Sequence, residues 1–86
     1  MSPEQLRAEC ITVLATMGEI TSDVAANLAQ DVSADLDFAR LTFDSLSVLD
    51  FCIRLEEKAG IYVEPADLAY ATGLNQFVRT VAVRPV

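Results

Sequence analysis

Apolar residues recur at Leu6, Cys10, Val13, Leu14 and Met17, a helical stripe that continues until Gly18 interrupts it. Just ahead of the stripe, Ser2 is placed as an N-cap and Pro3 at the first helical position, with Gln5 set to reach back as the second half of a capping box. The pattern therefore predicts a first helix over 3–17. From 19 to 41 the periodicity weakens, although Ser22 and Asp23 are placed to cap a short helix presenting Val24, Leu28 and Val32. Leu36, Phe38 and Leu41 are spaced as anchors for the long connection that follows, because an ordered loop of this length must be pinned to the core.

A second strong helix starts at Asp44 and Ser45 and runs to Ala59, where Gly60 is placed as its stop. Its apolar residues fall in two adjoining rows. Val48, Phe51, Cys52, Leu55 and Ala59 follow core spacing, whereas Leu46, Leu49 and Ile53 share their side of the helix with Asp50 and Glu57. Tyr62 and Val63 lead into Pro65, which suits the first turn of a short helix. Thr72 is expected to cap a last helix with Leu74, Phe77, Val78 and Val81 on one face. No stretch alternates as a strand would. The expected fold is all-α, a small bundle of three main helices and one or more short ones.

Composition narrows the function classes. With 86 residues, 52% of them hydrophobic, the chain suits one folded domain over residues 1–86, and so small an interior leaves little room for a deep catalytic cavity. Thirteen acids against six bases give a formal charge of −7, which repels phosphate backbones and anionic lipid headgroups. Nucleic acid and membrane are thus excluded as expected partners, and a protein with a basic docking patch is favoured. There is no histidine, no paired-carboxylate signature and no nucleophile with an evident base, so an enzyme and a metal site are not expected. Cys10 and Cys52 lie in helical stretches without a C-x-x-C spacing and read as small core hydrophobes. Met1 to Gln5 lacks the basic and apolar regions of a signal peptide, and the expected location is cytoplasmic.

The segment Leu41-Thr42-Phe43-Asp44-Ser45-Leu46-Ser47-Val48-Leu49 and the helix ending Leu55-Glu56-Glu57-Lys58-Ala59-Gly60-Ile61 resemble the acyl carrier protein superfamily. The likeness extends over nearly the whole chain, through the anchored loop, the short helix near Pro65 and the last helix. The resemblance implies an acyl-carrier-type bundle that performs no catalysis. It makes Ser45 the attachment point of a covalent 4'-phosphopantetheine arm, taken from coenzyme A, and Asp44 the acidic neighbour engaged by a phosphopantetheinyl transferase. It further implies that Leu46, Asp50, Ile53 and Glu57 form the face that meets acyl-loading, condensing or modifying enzymes, the chain itself being a monomer. The placement of Ser45 is physically sensible: a loop-to-helix junction is accessible, and the positive end of a helix dipole favours a phosphodiester. The residues alone leave alternatives open. Asp44 or Ser45 could serve only as an N-cap, Leu46 and Ile53 could be bundle core, and the chain could be an unmodified helical adaptor.

Three departures from the family pattern bear on the pathway. Thr42 stands where the family often has glycine, which raises a question about the loop conformation before Ser45. Ser47 stands where fatty-acid carriers usually show an acid, and Arg54 and Lys58 dilute the charge of the recognition helix. Residues 1–43 carry a net −5 and residues 44–86 a net −2. These features favour a discrete carrier of polyketide or mixed polyketide and nonribosomal peptide (antibiotic) biosynthesis over one of fatty-acid synthesis. The chain lacks the Gly-Gly-His-Ser or Gly-Gly-Asp-Ser of peptidyl carriers, but an aminoacyl cargo remains open.

Overall fold

In the computed structural model, which describes residues 2–83, the chain runs through α1 (Pro3–Thr16), α2 (Ser22–Gln30), a 3₁₀ turn (Phe38–Arg40), α3 (Ser45–Ala59), α4 (Pro65–Tyr70) and α5 (Leu74–Ala82). No β-strand forms among the described residues; one isolated antiparallel bridge joins Asp37 to Gly73. The capping box at α1 is present as expected, Gln5 N–H donating to Ser2 Oγ at 3.2 Å and Ser2 N–H to Gln5 Oε1 at 3.0 Å. Leu6, Cys10, Val13 and Leu14 are buried, joined by Ile11, and α1 packs against α2, α3 and α5. It is the helix around which the bundle is assembled. It ends at Thr16, and Met17 is its C-cap rather than its last residue.

The weakly patterned stretch does contain a helix, with two corrections. Thr21, not Ser22 or Asp23, caps α2, its side chain accepting from Val24 N–H at 3.2 Å. Val32 does not continue the Leu28 stripe: the helix stops at Gln30 and Val32 is 69% exposed. The cause is Asp31, whose carboxylate accepts from both the amide and the hydroxyl of Ser33 and so offers the backbone a turn in place of another helical residue. Those bonds hold the Asp31 carboxyl below its ordinary pKa, with a smaller contribution from Arg7. Beyond it, Phe38 is buried and Leu36 and Leu41 pack against the core, as their spacing predicted.

The core is completed by Leu28, Phe38, Phe51, Cys52, Leu55, Val63, Leu68, Leu74, Phe77, Val78 and Val81. Both cysteines are buried and free, so the expectation of small core hydrophobes holds. A run of aromatic contacts crosses it, with ring centroids 5.9 Å apart for Phe38 and Phe77, 5.8 Å for Phe77 and Phe51, and 5.8 Å for Phe51 and Phe43. Through these rings the long loop, α5 and α3 share one packing unit, and Phe43 fixes the chain immediately before α3.

Thr72 does not cap the last helix. Gly73 is the N-cap of α5, and Thr72 instead donates from its amide and hydroxyl to Gln76 Oε1 at 2.7 and 2.8 Å. The cap acceptor comes from across the loop: Asp35 Oδ1 receives Asn75 N–H at 3.0 Å. Glycine is needed at 73 because a Cβ there would lie 2.7 Å from the Leu36 carbonyl oxygen and 3.0 Å from the Asp35 carboxylate. The close pairing of loop and helix start excludes any side chain.

One charged side chain lies inside the bundle. Arg7 is only 7% exposed, because it sits among Leu6, Cys10 and Leu14 on the inner side of α1. Its guanidinium donates to the carbonyls of Leu28 at 2.6 Å, Ala34 at 2.6 Å and Asp31 at 3.3 Å, and to Asn75 Oδ1 at 2.9 Å. Asn75 Nδ2 also donates to the Ala34 carbonyl at 3.1 Å. The cation thereby satisfies carbonyls at the end of α2, where the helix dipole is negative, and clamps the loop and α5 to α1. Replacing Arg7 with Met is expected to cost about 2–4 kcal/mol by leaving those buried carbonyls unpaired. Arg7→Lys recovers only part of this, since an ammonium cannot reproduce the fork. Thermal unfolding followed by circular dichroism should show Tm falling by at least about 10 °C for Arg7→Met.

Candidate functional site

The start of α3 separates two duties that adjacent polar residues could have shared. Asp44 has extended backbone angles and is the N-cap, its Oδ1 accepting from Ser47 N–H at 2.8 Å. That bond, the Ser47 hydroxyl and the nearby Leu46 amide hold the Asp44 carboxyl below its ordinary pKa. Ser45 is the first helical residue, exposed, and its hydroxyl makes no hydrogen bond among the described residues. Being first, its amide has no intrahelical carbonyl to reach. With Asp44 holding the cap, Ser45 is free of structural work, a point the residues alone had left open.

The chain reaches Ser45 along a fixed path. Leu41 and Phe43 pack against the core on either side of Thr42, whose hydroxyl donates to Glu19 Oε1 at 3.2 Å. No described residue other than glycine has a positive φ, so Thr42 adopts ordinary backbone angles and the missing glycine causes no distortion. The Thr42–Glu19 tether joins the segment before Ser45 to the α1–α2 connection. Nothing in the spacing of these two residues announces it.

Along α3 the two rows separate fully. Phe51, Cys52 and Leu55 are buried, and Val48 and Ala59 pack against the core. Leu46 is 77% exposed, Ile53 54% and Leu49 48%, so none of them is bundle core. Glu57 and Asp44 are exposed, and Asp50 is half-buried against Arg54, whose Nε donates to Asp50 Oδ1 at 2.9 Å. The structure therefore gathers Asp44, Ser45, Leu46, Asp50, Ile53 and Glu57 on the start and outer side of one helix. Leu49 joins them. The Asp50–Arg54 pair was missed in the sequence reading, although its i, i+4 spacing is the signal for it. Glu56, by contrast, turns inward and accepts from Val63 N–H at 3.0 Å, and α3 ends where Gly60 takes a left-handed φ of 68°.

Chemically, Ser45 is an exposed hydroxyl without a partner base among the described residues, so nothing there activates it as a nucleophile. An anion attached there meets open amide hydrogen-bonding capacity and the positive end of the α3 dipole, so the residues present fit a phosphate-linked group. Neither cysteine offers a reactive thiol at the surface: burial, and secondarily Glu9, pushes Cys10 up to about 12, and burial, with Glu56 and Asp67, pushes Cys52 up to about 11. Among the described residues no cluster of potential metal ligands forms, and no helix is long and apolar enough to cross a membrane.

A family model described as a phosphopantetheine attachment site matches residues 11–81, from the middle of α1 to the buried Val81 of α5. No curated protein and no solved structure shows a match to the chain.

The lowered pKa of Asp44 has a defined sign. The ionised cap stabilises the folded chain fully above the ordinary value of 3.8, and the contribution is lost as pH falls through the lower folded value. A titration of the Ser47 amide resonance is expected to show a transition with its midpoint below 3.8. Asp44→Asn, which keeps an acceptor oxygen, abolishes the titration but preserves the helix start. Asp44→Ala speeds hydrogen exchange at the Ser47 amide.

Proposed function

The chain belongs to the phosphopantetheine attachment-site family, and on that premise we propose that Ser45 is its attachment residue and that Asp44 is the acidic neighbour engaged by the transferase. Domains of this family carry 4'-phosphopantetheine covalently; they are carriers and not enzymes, and they work with phosphopantetheinyl transferases and synthase enzymes. The observation that carries the assignment is the division of labour at α3, where Asp44 takes the cap and leaves the Ser45 hydroxyl exposed and unengaged. The Ser45 hydroxyl forms the new bond to the phosphorus that bears the arm as the phosphoanhydride bond of coenzyme A breaks; adenosine 3',5'-bisphosphate leaves and the hydroxyl proton passes to the transferase.

When bound, the arm supplies a thiol that holds an acyl group as a thioester. The protein contributes position and recognition. Packing of Leu41 and Phe43 holds Ser45 at a fixed point of the surface, so a tethered group reaches each docked enzyme at high effective concentration. Leu46, Asp50, Ile53 and Glu57, with Leu49, are the docking face in this reading, supported by the exposure of three large aliphatic side chains beside Ser45.

For the pathway we propose polyketide or mixed polyketide and nonribosomal peptide biosynthesis, with an acyl or aminoacyl cargo. Its support is Ser47 in place of an acid and the two cations Arg54 and Lys58 on α3. The working unit in this reading is a single monomeric carrier domain over residues 1–86, acting in the cytoplasm.

The test is intact mass after incubation with coenzyme A and a broad-specificity phosphopantetheinyl transferase. The expected result is a gain of one arm per chain that is lost in Ser45→Ala. An unchanged mass with several competent transferases would overturn the assignment in favour of an unmodified adaptor. A second measurement follows from the buried cysteines: at about pH 8 a thiol reagent should label the unmodified folded chain slowly and the modified chain rapidly at one thiol. Unfolding in denaturant should expose Cys10 and Cys52 in both.

A further inference from the structure

The chain just ahead of Ser45 has little polar support of its own. Leu41 N–H donates to the Phe38 carbonyl at 3.2 Å and the Asp44 carbonyl accepts from Val48 N–H at 3.0 Å, but between them residues 42 and 43 make no backbone hydrogen bond among the described residues. Leu41 and Phe43 pack against the core, Phe43 with its ring centroid 5.8 Å from that of Phe51. The one polar tie on this stretch is the Thr42 hydroxyl, which donates to Glu19 Oε1 at 3.2 Å.

The acceptor is itself held in place. Gly18 takes a left-handed φ of 77° after α1, and a Schellman motif closes there: Glu19 N–H donates to the Leu14 carbonyl at 3.0 Å and Gly18 N–H to the Ala15 carbonyl at 3.1 Å. Met17 and Ile20 pack against the core on either side. The Glu19 backbone is thus part of the end of α1, and its half-buried carboxylate links that end to the segment leading to Ser45. Thr42 stands three residues before Ser45, no more than about 10 Å along the chain. Where glycine would give this segment freedom, a β-branched and tethered residue restrains it.

Resting on the assignment of Ser45 as the attachment residue, we propose that Glu19 and Thr42 are positioning residues for arm transfer. Their hydrogen bond holds the segment 42–44, and through it the Ser45 hydroxyl, in the placement the transferase accepts. The bond takes no part in the covalent step. It raises the fraction of chains in which the hydroxyl is correctly placed, so its loss weakens apparent binding by that fraction and leaves the saturated rate unchanged.

The test is arm transfer from coenzyme A by a broad-specificity phosphopantetheinyl transferase, read by intact mass over a range of carrier concentrations, on chains that circular dichroism shows to be folded. Thr42→Val and Glu19→Ala should each raise KM about threefold with kcat unchanged, and the double variant should be no worse than either alone. Thr42→Ser and Glu19→Gln, which keep a donor and an acceptor, should recover most of the loss. Unchanged KM in the two single variants, additive losses in the double variant, or a fall in kcat alone would overturn the proposal. So would a loss in Glu19→Gln as large as in Glu19→Ala, which would mark Glu19 as a charge met by the transferase. Absence of transfer to the unsubstituted chain would instead refute the assignment of Ser45, and the positioning role with it.

Discussion

Everything else in this bundle depends on how the Arg7 guanidinium is buried. A charge inside a domain this small is tolerable only if its donors are used, and here they go to the carbonyls of Leu28, Asp31 and Ala34 and to Asn75 Oδ1. The acceptors come from three places: the end of α2, the loop after it, and the start of α5. A segment with almost no secondary structure of its own is therefore tied to α1 by side-chain bonding rather than by helix packing. The Asp35 carboxylate extends the same junction by receiving the Asn75 amide, and Gly73 allows the close approach. Without this junction the first part of the long connection to Ser45 would lose its tie to α1, leaving the packing of Leu36, Phe38, Leu41 and Phe43 and the bridge between Asp37 and Gly73 to hold the rest.

From that clamp the order passes to the site through aromatic packing. Phe38, Phe77, Phe51 and Phe43 touch in sequence, and Phe43 is the residue before Asp44. The start of α3 is thus held from behind by the core and from the side by the Thr42–Glu19 bond. Asp44 then spends its carboxylate on the helix start. The consequence is a hydroxyl at Ser45 that is fixed in position yet chemically uncommitted, which is what a residue modified by another enzyme requires.

The second constraint is economy of surface. In a chain of 86 residues few apolar side chains can be spared from packing, yet α3 carries an inner row and an outer one. In α3 Phe51, Cys52 and Leu55 are buried in the packing, and Leu46, Leu49 and Ile53 stay exposed, the row proposed above for recognition. Charge is distributed to match. The acid surplus of the chain lies mostly outside α3, while the helix itself pairs Asp50 with Arg54 and so presents an apolar row with mixed charge.

How much of this could be read from the residues follows from the range of the interactions involved. The α1 stripe and its capping box, the two rows of α3, Gly60 as a stop and Pro65 at the start of α4 rest on contacts within a turn or two, and they stood as expected. The position of Ser45 at a helix start was legible for the same reason, as was the family pattern around it. What misled the reading was chemistry supplied from far along the chain. Thr72 has the composition of a cap, but Asp35 does that work from across the loop; Val32 fits a helical stripe, but the Asp31 turn ends α2 first. Arg7 carries the charge of a surface residue at a core position of its helix. Whether Asp44 or Ser45 would hold the cap, and whether Leu46 and Ile53 would face solvent, could not be decided from spacing, because both depend on which side of α3 the other helices cover. By itself the sequence determined the helices, their inner faces and the candidate serine; only the tertiary structure, by deciding which polar groups find partners at long range, left that serine free and that outer row exposed.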